Sequence, residues 1–566
     1  MTAGLRSKFS SLYFDYPHYP FVRPPEMDGQ ALRHQVAIVG GGPVGLACAM
    51  ELARHGVSAV VIEDDDTVAD GSRAVCIARR SMEILQGLGV AERFLEKGLV
   101  WTGGRSFYKD RVVYELEMPH SDDERFHPMT NLQQCYIEKF LIDATEDDGR
   151  IDIRWQSRVT GLEQDADGVT LKVETPEDDY DLRADYVVAA DGARSAVRQL
   201  LDLQLNGTSY EGRYLIADIK MASSHPIERR AFFDPHSNPG STVLMHKQPD
   251  DIWRIDYQLQ DDDDPEEELR EDRIRARIQA QLDLVGETTP WQLEWYSLYK
   301  AHCLALDDYR SGRVFFAGDA AHLVPIFGVR GLNSGFADAN NLGWKLAYVL
   351  RGDAGDGLLD SYTPERREAT LDIIREARKS TIFMTPPTRG YRLMRDAALS
   401  IALSEDFTKG LINPRQSAPY DYTDGPLTAF KDRESGFDAG PRAGAPLQNV
   451  RLSGFGDNRP RFLLDLLQAG FNGFYFHGGG DLPQAVKELF SADLFAPVVV
   501  APHSMEVPGA NVVADPDGHL AAVYGAAAGA FYLVRPDGHV AARWTEVVAA
   551  EVQQAVRIAL GRHGEG

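Results

Sequence analysis

The stretch HQVAIVGGGPVG, residues 34–45, carries a short apolar strand into the glycine pattern of Gly40, Gly42 and Gly45. An alanine-rich segment, LACAMELA, follows at once over residues 46–53. In a strand–turn–helix unit of this kind the first glycine permits a tight turn. The second lets the backbone approach a pyrophosphate, and the third lets the helix pack against the strand. Since the N–H groups at the helix start then face the phosphates, the stretch predicts a nucleotide-binding turn.

A second strand and an acidic residue complete this unit. Residues 57–62 read VSAVVI and are followed by Glu63. An acid about twenty residues after the glycine turn is placed to accept a hydrogen bond from a ribose hydroxyl. The glycine pattern alone is a weak signal, whereas the full order of strand, turn, helix, strand and acid is specific. The chain is therefore predicted to bind an adenine dinucleotide.

The composition limits which classes of binding partner and which cellular compartment we expect for this protein. The chain of 566 residues has 59 basic and 85 acidic side chains, a net charge of −26, which argues against nucleic acid or an anionic membrane as partner. No apolar run is long enough to span a membrane, and the N-terminus lacks a signal-peptide core. Four scattered cysteines offer neither a disulfide framework nor a zinc site. We expect a cytoplasmic protein without a bound metal.

The hydrophobic pattern divides the chain into several units. Alternating strands and helices predict a Rossmann-like domain of the α/β class, and longer β-like runs predict an antiparallel sheet inserted into it. The predicted units are an N-terminal arm over 1–33, the first part of the nucleotide-binding domain over 34–204, a β-rich substrate domain over 205–300, the second part of the nucleotide-binding domain with further helices over 301–410, a linker over 411–448 and a C-terminal domain over 449–566.

Two further motifs carry chemistry. In DYVVAADGARSAVR, residues 185–198, a buried strand ends at Asp191 and a helix begins after Ser195; by itself this could be a strand end with a helix cap. In GDAAHLVPIFGVRGLNSG, residues 318–335, Asp319 ends a strand where it could bind a ribityl hydroxyl. The glycine-rich loop that follows delivers N–H groups at the start of a long helix. Such a helix start stabilises negative charge, which a reduced flavin carries.

Taken together, the three motifs resemble those of the FAD-dependent aromatic hydroxylases, the family of para-hydroxybenzoate hydroxylase and phenol hydroxylase. The resemblance spans about residues 34 to 400, and the order and spacing of the motifs are specific to this family. It implies FAD as cofactor. It also implies a set of FAD-binding residues, namely Gly40, Gly42, Pro43, Gly45, Glu63, Arg73, Gln134, Asp191, Asp319, Pro325, Gly331, Leu332 and Asn333.

The end of the chain resembles the thioredoxin-like C-terminal domain of the phenol hydroxylase branch. The resemblance is carried by GPRAGAP, residues 440–446, and by the hairpin RPDGHVAAR, residues 535–543. The Cys-x-x-Cys pair is absent, so disulfide exchange is not expected. A packing role or a subunit contact in a homodimer is the expectation, and His539 and Arg543 are expected to be polar hairpin residues rather than catalytic ones.

The resemblance also implies a reaction. NADPH or NADH reduces the flavin, O₂ adds to form a flavin C4a-hydroperoxide, and its distal oxygen attacks a phenolic ring next to or opposite the hydroxyl group. The protein has to exclude water and favour the phenolate. Two alternatives remain: a flavoprotein oxidase or electron-transfer reductase that never hydroxylates, and a non-catalytic FAD-bound scaffold. A flavin halogenase is not favoured, because its Trp-x-Trp-x-Ile-Pro motif is missing.

Substrate contacts are expected on the inserted sheet. Comparison with the family strands directs the side chains of His246, Gln248 and Asp256 toward the substrate ring, and puts Arg254 near the flavin. His246 is interpreted as a base or hydrogen-bond partner of the phenol, or else as a sheet-edge histidine bonded to backbone. Asp256 is interpreted as a base, as the group that orients His246, or as an ion-pair partner of Arg254.

The flavin loop supplies the remaining candidates. Pro325 is expected to contact both flavin and substrate. Arg330 stands where the family loop has another residue, and it could answer an anionic substrate or the charge of the flavin. His322, in the same loop, is interpreted as structural.

Overall fold

The computed structural model describes residues 10–71, 73–146, 148–260, 262–325, 328–412, 418–430, 436–453 and 461–562. Its first part alternates strands and helices, in the order β1 Arg33–Val39, α1 Pro43–Arg54, β2 Ala59–Ile62, β3 Cys76–Ala78, α2 Arg79–Gly87, α3 Ala91–Lys97, β4 Leu99–Trp101, β5 Gly103–Tyr108, β6 Arg111–Glu117, β7 Met129–Asn131, α4 Gln134–Thr145, β8 Ile151–Arg154, β9 Arg158–Gln164, β10 Val169–Glu174, β11 Tyr180–Ala189 and α5 Ala196–Leu200.

The middle of the chain is mainly β, with β12 Asn206–Lys220, β13 Arg229–Phe233, β14 Thr242–Gln248, β15 Ile252–Gln258, α6 Pro265–Glu268, α7 Glu271–Leu284 and β16 Gln292–Ala305. The elements that follow are β17 Arg310–Ser311, β18 Val314–Phe316, β19 His322–Leu323, α8 Gly331–Leu350, α9 Tyr362–Met384, α10 Arg389–Ala402 and α11 Lys409–Ile412. The C-terminal elements are β20 Asn472–Phe476, α12 Gln484–Phe490, β21 Ala496–Ala501, β22 Asn511–Ala514, α13 His519–Val523, β23 Phe531–Val534, β24 Val540–Trp544 and α14 Ala549–Ala559.

The nucleotide-binding sheet has the order β17-β18-β11-β1-β2-β8, with β9 and β10 continuing from β11. Strands β18, β11, β1, β2 and β8 run parallel to one another. Val36–Val39 and Val187–Ala189 are buried throughout, because helices or loops cover both faces of a parallel sheet. The carboxyl ends of β1, β11 and β18 meet at one edge, where Gly40, Asp191 and Asp319 follow them. The predicted α/β fold class is confirmed.

The second sheet is the inserted one, in the order β19-β16-β12-β15-β14-β13-β5-β6. Its central strands β12, β15 and β14 pair antiparallel, as the hydrophobic alternation predicts. Strands β5 and β6, over residues 103–117, also belong to it, because β13 pairs in parallel with β5. The division made from sequence assigned those residues to the nucleotide-binding unit, since an edge hairpin added from earlier in the chain leaves no local signal.

The C-terminal sheet has the order β22-β21-β20-β23-β24, parallel over its first three strands and antiparallel over the hairpin. The Asp537–Gly538 turn closes that hairpin, and Gly538 has a φ of +78°. Segments 418–430 and 436–448 of the predicted linker pack against it: Gly444 N–H donates to the Val540 carbonyl, 2.7 Å, and Leu427 is buried. Residues 411–412 of the predicted linker end α11, and its residues 413–417 and 431–435 lie outside the described residues.

Residues 10–32 of the predicted arm contact the inserted sheet and the nucleotide-binding domain. Leu12 N–H donates to the Glu294 carboxylate, 2.8 Å, and the Tyr19 ring stacks on Trp155 at 4.2 Å between centroids. Residues 1–9 of the arm lie outside the described part of the chain. Among the described helices, none combines the length and the apolar character that a membrane crossing requires.

Candidate active site

A cavity of about 790 Å³ runs from the glycine turn after β1 to the inserted sheet. Its size falls in the range of cofactor and ligand sites, roughly 300–1,000 Å³. One end is lined by Gly40, Gly42 and Asp191, and the other by His246 and Asp256. The cavity therefore joins the predicted dinucleotide site to the predicted substrate residues.

The three glycines of the turn differ in what surrounds them. A Cβ on Gly40 would lie 2.5 Å from the Ala190 carbonyl oxygen, and Gly40 has a φ of +107°. A Cβ on Gly45 would lie 2.0 Å from the Gly40 carbonyl oxygen. A Cβ on Gly42 would meet nothing within 4 Å, although Gly42 lines the cavity and Pro43 begins α1 beside it. The backbone at Gly42 is thus open to a ligand, while Gly40 and Gly45 are required by packing.

Glu63 lies at the wall of this end. Its Oε2 accepts from Gly41 N–H, 2.6 Å, and its Oε1 accepts from Asp65 N–H, 2.9 Å. Burial raises the pKa of the carboxyl to about 8, although those two amides oppose the shift. Glu63, Asp64 and Asp65 have carboxylate oxygens within reach of a single ion, but adjacent acids at a strand end are no metal site by themselves, and we assign none.

Gln134 holds the segment that carries Arg73 along the cavity. Its side-chain oxygen accepts from Ala74 N–H, 3.1 Å, and its amide nitrogen donates to Glu138, 2.8 Å. Glu138 in turn accepts from Ala69 N–H, 2.6 Å. Both Arg73 and Gln134 line the cavity. The positions implied by the resemblance are therefore brought to the same wall.

Two aspartates stand at strand ends on the cavity. Asp191 accepts from Val197 N–H through Oδ2, 3.1 Å, while its buried Oδ1 has no hydrogen-bond partner within the described residues. Asp319 follows β18 and lines the cavity with an exposed side chain, and desolvation by the surrounding protein raises the pKa of its carboxyl above the ordinary value. Burial likewise raises the pKa of Asp191. Each carboxyl can accept a hydroxyl hydrogen bond from a ligand.

The first turn of α8 forms the opposite wall. Pro325, Arg330, Gly331 and Leu332 line the cavity there. The side chain of Asn333 fixes the turn from behind, because its Oδ1 accepts from Ala78 N–H, 2.8 Å, and its Nδ2 donates to the Cys76 and Val329 carbonyls, 3.1 and 2.7 Å. The helix start presents amides and a positive dipole end to the cavity, which suits an anionic or electron-rich ring edge.

The histidine of the loop plays the structural role that the sequence predicts. His322 is fully buried, and its Nε2 lies 2.7 Å from Asp338 Oδ2. Asp338 also accepts from Gly318 N–H, 2.9 Å, and from Arg366, 2.7 Å. Together these contacts fix Gly318, directly before Asp319, against α8.

His246 and Asp256 lie on adjacent strands at the far end of the cavity. His246 Nε2 is 3.8 Å from Asp256 Oδ2, and neither ring nitrogen forms a hydrogen bond within the described residues. Burial lowers the pKa of His246, but Asp256 and Cys76 outweigh it and the pKa is raised. The interpretation as a sheet-edge histidine bonded to backbone is wrong, because β14 is an internal strand between β15 and β13.

Arg254 pairs with Asp218, a residue that the sequence analysis did not single out. Arg254 Nε lies 2.9 Å from Asp218 Oδ1, and Nη2 lies 3.1 Å from Oδ2. Its Nη1 donates to the Arg73 carbonyl, 3.3 Å. The suggested pair of Arg254 with Asp256 is therefore wrong, since Asp218 faces Arg254 in the β12–β15 register. An aspartate inside the apolar run 214–221 was the signal for it.

Gln248 lies behind this pair rather than on the cavity. Its amide nitrogen donates to Asp218 Oδ1, 3.0 Å, and its side chain is not among those that line the cavity. The prediction directs it toward the substrate ring, and the structure does not bring it there. Trp295, Ser297 and Tyr299 do line the cavity, at alternate positions of β16. Their spacing of two residues is the signal that would have revealed them.

These features fit FAD. A backbone turn open at Gly42, an unpartnered carboxylate oxygen on Asp191, the Asp319 carboxyl and the amides of α8 are arranged along one cavity. The dinucleotide phosphates fit the glycine turn, the ribityl hydroxyls fit the carboxyls, and the ring fits the start of α8.

Comparisons with known proteins agree with this fit. Residues 33–377 match the family described as FAD binding domain, and the chain belongs to this family. A 3-(3-hydroxy-phenyl)propionate/3-hydroxycinnamic acid hydroxylase of Mycolicibacterium smegmatis is 32% identical over 366 residues, which are 64% of this chain and 63% of that protein. One of the same name from Burkholderia cenocepacia is 31% identical over 65% of this chain and 67% of that protein.

Solved structures match most of the chain. Aklavinone-11 hydroxylase, in a ternary complex with FAD and aklavinone, is 26% identical with a TM-score of 0.71, covering 94% of this chain and 99% of that one. The flavin-dependent monooxygenase PieE, in complex with FAD and substrate, has a TM-score of 0.76 at 23% identity, covering 94% and 100%. The resemblance found in the three motifs is confirmed, and so is the prediction of FAD as the cofactor.

Proposed function

We propose that this protein is an NAD(P)H- and FAD-dependent monooxygenase that hydroxylates a phenolic aromatic compound. One observation carries the proposal: the FAD cavity continues without a break to a buried histidine and aspartate whose side chains have unused hydrogen-bonding atoms. The M. smegmatis and B. cenocepacia relatives are hydroxylases by name and act on a phenol with an acidic side chain. A small meta-substituted phenol of that kind is the substrate we propose.

Bound FAD supplies the redox chemistry, with NAD(P)H as reductant and O₂ as oxidant. The chain supplies the handling of the phenol. The Asp256 carboxylate, 3.8 Å from His246 Nε2, orients the imidazole. Burial lowers the pKa of His246, but Asp256 and Cys76 raise it by more. We propose that His246 takes the phenolic proton at a ring nitrogen. The ring then gains the phenolate character that makes it electron-rich.

The remaining cavity residues position the cavity wall and help to exclude water. Arg254 and Asp218 form a buried ion pair, with side chains 5% and 1% exposed. Arg254 also donates to the Arg73 carbonyl and so holds the Arg73 segment at the cavity. The aromatic side chains of Trp295 and Tyr299 add apolar surface to the cavity wall on the inserted sheet, which disfavours water there. Water exclusion matters because water in the site would divert the oxygen chemistry that bound FAD would supply from hydroxylation to H₂O₂.

The test measures NAD(P)H oxidation by the purified yellow protein with a panel of phenols, alongside product and H₂O₂. We expect a phenol to stimulate NAD(P)H consumption and to be converted to a hydroxylated product. Turnover that yields only H₂O₂ with every phenol would favour the oxidase or reductase alternative. Absence of flavin after purification and reconstitution would refute the hydroxylase, the oxidase and the reductase alike.

We also propose a homodimer and a cytoplasmic location. Exposed apolar side chains on and beside α10 and α11 support the dimer, with Leu393 at 61%, Phe407 at 78% and Leu411 at 66% exposure. Four free, buried cysteines support a reducing compartment. Sedimentation analysis of the wild type and of Phe407→Glu tests the dimer, which the variant is expected to weaken.

A further inference from the structure

Arg229, the first residue of β13, lies where two cavities meet. It lines the FAD cavity together with His246 and Asp256, and it also lines a second cavity of about 280 Å³ beside it. Leu244 is the other residue common to both. The second cavity is otherwise mostly apolar, with side chains of Ala231, Phe233, Phe383 and Met384.

The Arg229 guanidinium is the unusual feature of this wall. Its Nη1 is buried without a hydrogen-bond partner, and no ion pair to it exists within the described residues. Three other arginines of the inserted sheet are paired: Arg105 and Arg230 with Glu228, at 2.9 and 2.7 Å from Nε, and Arg254 with Asp218. Burial lowers the pKa of Arg229, yet a guanidinium remains charged at neutral pH.

The charges that face Arg229 do not neutralise it. On the FAD side, Asp256 and Cys76 act on it only through space, with Asp256 already 3.8 Å from His246. In the second cavity, Lys379 pairs with Glu376 at 2.6 Å, and Arg105 pairs with Glu228. A buried cation without a counter-ion is strongly unfavourable. The wall is therefore arranged for an anion that comes from outside the chain.

We propose that Arg229 binds a carboxylate of the aromatic substrate and so selects acidic phenols over neutral ones. The substrate would extend from His246 and Asp256, which take its hydroxyl group, to Arg229, which takes its carboxylate in a two-point hydrogen bond. The pyrophosphate of FAD is not the anion, because its cradle at Gly42 lies at the other end of the cavity. This inference rests on the proposed function for the identity of the phenol.

Equilibrium binding tests the inference without turnover. Calorimetric titration of the FAD-loaded protein uses three acids, 3-hydroxybenzoate, (3-hydroxyphenyl)acetate and 3-(3-hydroxyphenyl)propionate, each beside its neutral amide. We expect at least one acid to bind the wild type about 10- to 100-fold more tightly than its amide, the range of a charge-assisted pair. Arg229→Met is expected to remove that preference, and Arg229→Lys to retain part of it.

Two controls separate a local effect from misfolding or lost net charge. Arg275→Met removes a cation from the outer helix α7, where Arg275 is 39% exposed and paired with Glu271, and it should keep the preference for the acid. Flavin content and the thermal midpoint should match in both methionine variants. A variant Arg229→Met that loses FAD with an unchanged acid-to-amide ratio would overturn the inference and assign Arg229 to the cofactor.

Other outcomes are equally decisive. No acid binding more tightly than its own amide, or an equal loss for acid and amide in Arg229→Met, would overturn the role of Arg229 and leave the hydroxylase proposal standing. Conversely, a wild type that prefers the acid but converts no phenol to product would support the anion site and refute the proposed function.

Discussion

Arg535 and Glu365 form a buried two-point ion pair that joins the C-terminal hairpin to α9. Arg535 Nη1 lies 2.6 Å from Glu365 Oε1, and Nη2 lies 2.9 Å from Oε2, with side chains 1% and 0% exposed. Glu365 also accepts from Lys345 of α8, 2.7 Å, and Arg535 also pairs with Asp537. Because α8 begins at the FAD cavity, the C-terminal domain contacts the helix that forms one wall of the site.

Arg535→Leu is expected to destabilise the protein strongly. The substitution leaves the Glu365 and Asp537 carboxylates buried without their main partner, which costs about 3–5 kcal/mol of unfolding free energy. Denaturant unfolding followed by fluorescence measures it. The matched control is Arg351→Leu, since Arg351 and Asp353 are 36% and 47% exposed and such a pair contributes less than about 1 kcal/mol. Equal losses in both variants would contradict the structural role of Arg535.

The same ion pair predicts that the stability of the protein depends on pH. Burial raises the pKa of Glu365, but Arg535 and Lys345 outweigh it and hold the pKa at about 2, against an ordinary 4.5. A depressed native pKa gives stabilisation that is complete above the unfolded value and is lost as pH falls toward the native one. The stability difference between wild type and Glu365→Gln should therefore shrink from pH 6 to pH 3. A constant difference over that range would exclude Glu365 as a titrating contributor.

The glycine turn was predictable in detail because its local rules are strict. Gly40 and Gly45 must be glycine for steric reasons, and the strand patterns around 34–39 and 185–189 are continuous apolar runs. These short-range signals fixed the parallel sheet, the strand-end aspartates and the start of α8. His322 could likewise be assigned a structural role from its place in the loop.

The inserted sheet was less predictable because its contacts are between distant residues. Asp218 meets Arg254 across 36 positions, and β13 meets β5 from more than a hundred residues earlier. Arg229 belongs to no sequence motif. Only the structure shows that its guanidinium has a buried nitrogen without a hydrogen-bond partner in the described part of the chain. Likewise, nothing in the local hairpin pattern indicates that the side chains of Arg535 and Asp537 are buried against α9.

Two glycine substitutions should separate folding from FAD binding. In Gly45→Ala the new Cβ would lie 2.0 Å from the Gly40 carbonyl oxygen, so overpacking should lower stability by about 1–3 kcal/mol. In Gly42→Ala the new methyl group meets no protein atom within 4 Å, so stability of the apoprotein should be unchanged while FAD affinity falls. Thermal unfolding of apoprotein and a flavin titration measure the two effects. Unchanged FAD affinity in Gly42→Ala would exclude the turn as the pyrophosphate cradle.

Asp319→Ala should impair FAD retention. The carboxyl lies in the cavity at the end of β18, and loss of a charge-assisted hydrogen bond weakens binding by about 10- to 100-fold. Flavin content after purification and the dissociation constant of FAD are the measurements. Asp179→Ala, at an exposed turn of the same domain, is the control and should retain its flavin. Full flavin content in Asp319→Ala would contradict the assignment of Asp319 to FAD.

His246→Gln should uncouple NAD(P)H oxidation from hydroxylation while FAD stays bound. Without an imidazole at the inner end of the cavity, the phenol keeps its proton, and the loss of a general base lowers product formation by about 100-fold or more. The readout is product formed per NAD(P)H consumed, with H₂O₂ measured in the same samples and flavin content as a check on folding. His236→Gln, in an exposed loop of the same domain, should behave as the wild type. If coupling in His246→Gln equals that of His236→Gln, His246 takes no part in the reaction, and Asp256 alone remains as the candidate base.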